Sequence, residues 1–195
     1  TFGNDIASQN TFVDMLTITP HATASSATMA FTGSITATGN AVKTVGKDTI
    51  WVPAAAMRPT VSNGCAPIAD VETTAGRPDM QVLDFDASTT ESAQFQISFP
   101  KSWNEGNLTF QVYWTTTATD TDGVAWALST VRVPDDSTID VDYTSTTTVT
   151  DNALGAAEDL CVTAESGTLA VSGAAVGDIV YFKIQRDHDH GSDDM

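Results

Sequence analysis

Positive charge is scarce in this sequence: its 195 residues hold eight Lys and Arg against 25 Asp and Glu, for a net charge of −17. So acidic a surface repels a phosphate backbone and an anionic membrane, which excludes nucleic acid as an expected partner. Repulsion between exposed charges is screened within ~10 Å in salty water, as suits a secreted, marine or particle-surface protein. Long hydrophobic runs are missing too. No stretch approaches the roughly 18 apolar residues of a spanning helix, and no basic segment leads into the apolar core of a signal peptide. Membrane insertion is therefore not expected. The chain opens at Thr1 without an initiator Met, as expected of a trimmed or processed chain.

Histidine and cysteine are rarer still. Of three histidines, His188 and His190 lie in the tail, leaving His21 alone elsewhere. A Ser or Cys triad needs a positioned histidine base, so triad hydrolysis is not expected. Neither a Gly-x-Ser-x-Gly elbow, a phosphate-binding glycine loop nor a Cys-x-x-Cys pair occurs. Cys65 and Cys161 are far apart in sequence. They read as two sheltered, unpaired thiols, since Cys is among the most buried residue types; a single long-range disulfide requires a Cα approach that sequence does not show.

Leu is also sparse, and no long window carries a helical apolar stripe, whereas Thr, Val, Ser and Ala abound. That composition suits strands. The strongest pattern runs over residues 92–114. Phe95, Ile97 and Phe99 alternate with Gln94, Gln96 and Ser98; Leu108, Phe110, Val112 and Trp114 alternate with Thr109, Gln111 and Tyr113. Period-two alternation marks strands with one face buried, and the spacing predicts a hairpin joined by a long loop over 100–107. A lone hairpin is not stable in water, so a second layer must cover its aromatic face. Candidates are Val124, Trp126 and Leu128, continued through Val131 and Val133 to Pro134, together with Leu169 and the Val180, Phe182, Ile184 alternation.

Further strands are expected over 49–52, 80–85, 160–162 and 168–171, with a Thr- and Asp-rich edge strand over 139–149. Asn63-Gly64 and the Gly76 to Asp79 stretch read as turns, and 152–159 as one helical turn at most. Eight or nine short strands with frequent turns predict an all-β protein, an antiparallel β-sandwich, with a jelly roll first and an immunoglobulin-like sandwich second. The organisation expected is an extended N-terminal arm or stem over 1–47, the sandwich over 48–186, and an acidic tail, or the start of a missing last strand, over 187–195.

The candidate sites are few. Asp187, His188, Asp189 and His190 with Asp193 and Asp194 are metal-capable, yet so short a polar run reads as a solvated acidic terminus. Asp120-Thr121-Asp122-Gly123 lacks the later Glu of an EF-hand loop and reads as an Asp-rich turn. Carboxylate pairs for glycoside hydrolysis are uninformative among 25 acids. Asn107-Leu108-Thr109 matches a glycosylation acceptor of little weight. Of the aromatics able to stack on sugars, Trp51 among them, Trp126 reads as core, while Trp103 in the loop and Tyr113 on the polar face are the surface candidates for ligand binding. A loop aromatic such as Trp103 also serves to close the end of a sandwich.

The runs Ile50-Trp51-Val52-Pro53-Ala54-Ala55-Ala56-Met57-Arg58-Pro59-Thr60, Asn63-Gly64-Cys65 and Phe99-Pro100-Lys101-Ser102-Trp103-Asn104-Glu105-Gly106 resemble a group of tailed-bacteriophage virion structural and tail-fibre-like proteins. The similarity spans about 48–186. It implies a particle-associated, oligomeric β domain with no catalytic motif to carry over. Related chains run on past the equivalent of 181–186 into another apolar strand, so a last strand is expected to be missing here or supplied by a neighbour. The expectation is a non-enzymatic virion surface protein, a fibre or capsid-decoration component that forms a homo-oligomer, a trimer first. It would contact other virion proteins through the arm and contribute to host attachment, with no cofactor or metal. The alternatives are a glycan-binding module using Trp103 and Tyr113, and a polysaccharide-degrading enzyme.

Overall fold

The structure, a computed structural model, describes residues 46–195. The expected arm over 1–47 lies outside the described residues, but for Gly46 and Lys47. The strands described are β1 (Arg58–Pro59), β2 (Ala69–Glu72), β3 (Asp79–Val82), β4 (Glu91–Ile97), β5 (Tyr113–Trp114), β6 (Gly123–Val133), β7 (Ser145–Asn152), β8 (Cys161–Val162) and β9 (Ile179–Arg186). Five of them form one antiparallel sheet in the order β1-β4-β9-β6-β7, while β2-β3 and β5-β8 form two-stranded ladders.

The alternation of β9 decides which face of the large sheet is buried. Val180, Phe182 and Ile184 are buried and Tyr181, Lys183 and Gln185 are not. Register places Phe95 opposite Phe182 and Leu128 opposite Ile184, and the Phe95 and Phe182 rings stack at 4.8 Å. Above this face Trp114, Cys161, Leu169 and Val171 join the same apolar cluster. β6 differs from a half-wet strand: from Gly123 to Val131 every residue is buried. Ala127 and Ser129 are small and are paired with the longer Gln185 and Lys183, whose side chains shelter the second face.

The Asn63-Gly64 turn clamps the start of β4. Asn63 has φ of 52° and its carbonyl accepts from Ser92 N at 2.8 Å. A side chain at Gly64 would meet Thr60 O at 2.1 Å, so the close approach of main chain to main chain needs glycine there.

Four expectations are corrected. The 92–114 hairpin does not form: β4 pairs with β1 and β9, while 108–114 pairs with 161–169, through Leu108 with Leu169 and β5 with β8. Both segments keep their predicted alternation and feed one core, so the local pattern is right and the partner wrong. Residues 49–52 form no strand; the next regular pieces are a 3-10 turn at Ala54–Ala56 and then β1. The edge strand is shifted to β7, because 139–144 is irregular; 152–159 stays within the expected limit of one helical turn, holding none.

The fourth correction concerns the acidic tail, which is docked rather than solvated. Arg186 Nη2 donates to Asp193 Oδ1 at 2.6 Å and Arg186 Nε to Asp193 Oδ2 at 3.0 Å, with the two side chains 7% and 1% exposed. Asp193 Oδ2 also accepts from Ala125 N at 3.0 Å, and Asp194 N donates to Gly123 O at 3.1 Å. The tail thereby covers the first residues of β6.

Candidate functional site

The apolar face of the large sheet is covered unevenly. Phe95 and Ile97 of β4 stay half-buried, as do Leu108, Phe110 and Val112. Between them opens a cleft of about 1350 Å³. Its walls are mainly aromatic and aliphatic, from the sheet and from 108–114. Two buried polar atoms in these walls, Trp126 Nε1 and Thr115 Oγ1, have no hydrogen-bond partner among the described residues. An orphaned buried donor costs about 1–3 kcal/mol, so an occupant offering acceptors is favoured there.

An aromatic pair marks the rim. Trp51 and Tyr113 meet edge to face, centroids 4.8 Å apart at 84°, and are 62% and 50% exposed. Tyr113 is paired with Val162 across the β5-β8 ladder, and Leu160, on the same face as Val162 by alternation, is exposed as well. Together these side chains give the outer side of the ladder an apolar surface.

The two sequence-predicted ligand residues are separated in role. Tyr113 is exposed as expected, and its ring partner is Trp51. Trp103 is half-buried and stacks on Phe99 at 4.3 Å and 28°. Its N–H closes a turn on Pro100 O at 2.9 Å. Trp103 thus closes one end of the core, the other role open to a loop aromatic. Trp126 is core, as expected. The signal that was available for Trp51 is its place next to Ile50 and before Pro53, a residue that keeps so short a run from pairing in a sheet and covering its aromatic.

Several other titratable groups are engaged locally. Lys47 pairs with Glu165, which also accepts from Thr109 Oγ1; these bonds hold the Glu165 carboxyl below its usual range. His188 Nδ1 lies 2.9 Å from Thr90 Oγ1, and His190 Nδ1 accepts from Ser192 N at 3.1 Å. The Asp120 turn closes on itself through Asp122 N to Asp120 Oδ1 at 3.3 Å. Among the described residues no three His, Cys, Asp or Glu side chains converge as a metal site, and no helix is long and apolar enough to cross a membrane. Cys65 and Cys161 are buried and free. Burial, reinforced by the charge of Glu91, pushes the Cys65 thiol up to about 11, and burial raises Cys161.

No family model, curated protein or solved structure matches this chain.

Proposed function

We propose that this chain is a non-enzymatic surface protein of a phage particle, a fibre or capsid-decoration component that works as a homo-oligomer, with a trimer as the first assembly to test. Its domain is a β-sandwich of jelly-roll type, in which 108–114 and 161–171 belong to the layer over the five-stranded sheet. The observation that carries the assembly reading is the half-covered apolar cleft of about 1350 Å³. It exceeds the ~300–1,000 Å³ usual for small-ligand pockets, and its mainly aromatic and aliphatic walls offer packing area. The virion assignment rests on the resemblance of 48–186 to phage structural proteins. Contact with other virion proteins falls to residues 1–47. Immunogold labelling of intact particles tests the location: label on the particle surface supports it, and label only in the soluble fraction of the lysate refutes it.

The exposed Trp51 and Tyr113 pair favours one second reading, a glycan contact in host attachment. Exposed aromatic faces stack on the apolar side of a sugar ring. A glycan array probed with the protein and with Trp51→Ala decides it, because binding unchanged by that substitution removes the reading.

A further inference from the structure

Among the described residues, 108–114 has one satisfied edge and one edge without partners. On the satisfied side Leu108 exchanges bonds of 2.9 and 2.8 Å with Leu169, Phe110 N donates to Ser166 Oγ at 3.0 Å, and Val112 N donates to Thr163 Oγ1 at 3.0 Å. On the other side the main-chain N–H and C=O groups of Thr109 and Gln111 have no partner among the described residues, although their side chains bond to Glu165 and to Thr163 O. Proteins blunt such an edge with Lys, Pro or a covering segment. The run Leu-Thr-Phe-Gln-Val-Tyr-Trp contains neither Lys nor Pro and no charge at all. The same residues line the cleft, where the Trp126 and Thr115 side chains lack partners. An extended main chain laid along this edge would bring carbonyls and alternate apolar side chains together, the pairing mode of strand addition.

We infer that the open edge at Thr109 and Gln111 is completed by an extended strand from a second copy of this chain, with that strand's apolar side chains entering the cleft. The inference rests on the oligomer proposed above. Composition selects the donor. Residues 22–42 contain no charged side chain, whereas 23 of the 25 acidic residues lie in 46–195. An uncharged strand is the one such an acidic domain does not repel. Within that run Met29, Phe31 and Ile35 fall on one side at a period of two. The run lies outside the described residues, and the chain re-enters at the cleft, which Lys47, Thr49 and Trp51 line. With up to ~3.3–3.6 Å per residue, the first 45 residues have ample length to reach a neighbour.

Coexpression of two full-length single variants tests this. One chain, tagged, carries Ser34→Cys; the other carries Thr109→Cys or Gln111→Cys, two recipient positions that allow for register. In the proposed pairing these positions would share the face away from the cleft, where directly opposed Cβ atoms are ~4.5–5.5 Å apart, near disulfide range; Cys65 and Cys161 are buried and do not compete. Under a mild oxidant such as copper phenanthroline we expect a crosslinked dimer of one tagged and one untagged chain. Phe31→Asp in the full chain should lower the assembly's mass to that of a monomer with an unchanged near-UV spectrum. No mixed crosslink while light scattering still shows an oligomer overturns the strand donation but leaves the assembly standing; a monomer in both measurements overturns both. A crosslink formed only within a Ser34→Cys, Gln111→Cys double variant also overturns it.

Discussion

The Arg186 guanidinium grips the Asp193 carboxylate through two of its nitrogens, the shortest contact being 2.6 Å, and both side chains are almost wholly out of solvent. Arg186 Nη2 further donates to Met195 O at 2.9 Å. The pair ties the last strand of the sheet to the tail that covers β6. Breaking such a pair leaves a buried charge uncompensated, and the loss is large because water does not replace the partner.

We therefore expect Asp193→Ala to lower stability by about 3–5 kcal/mol, read as a reduced urea midpoint. Asp189, whose side chain is 83% exposed, serves as control, and Asp189→Ala should stay within about 0.5 kcal/mol. Equal effects of the two substitutions would mean that the tail is not docked in solution.

The cysteines give a prediction with a pH sign. The folded Cys65 thiol is raised from an ordinary value near 9.0 to about 11, so between these values the unfolded chain loses the proton first. Stability is unaffected by this group below about pH 9 and declines as pH rises towards about 11. Native protein treated with iodoacetamide at pH 8 should leave both thiols unmodified by mass spectrometry, and urea should expose both. Rapid labelling of Cys65 in the native state would contradict its burial.

Two tryptophans of similar sequence appearance should behave oppositely. Trp103→Ala removes a ring stacked on Phe99 and is expected to cost about 2–4 kcal/mol. Trp51→Ala removes a ring that is 62% exposed and should cost no more than about 1 kcal/mol. Thermal unfolding of the two variants separates an end plug from a rim residue.

The pattern of losses and gains in reading the sequence follows from range. Alternation is local, so the buried and exposed sides of 92–99, 108–114 and β9 were legible, whereas β6, buried on both faces from Gly123 to Val131, was legible only as a strand. Pairing is not local: Leu108 meets Leu169, 61 positions on, and nothing in Leu-Thr-Phe-Gln-Val-Tyr-Trp names that partner. The docked tail was illegible for a related reason. Asp193 looks like any other tail acid until Arg186 and Ala125 N converge on it. The aromatic site was half legible: Tyr113 was placed by its polar-face position, whereas Trp51 gains its role from a contact across 62 residues.

Self-assembly is the claim on which the proposed role depends, and multi-angle light scattering of the full chain tests it most directly. Across micromolar concentrations we expect a mass of several chains, with three copies of the 20.5 kDa chain as the leading value. A mass of a single chain at every concentration would contradict the assignment.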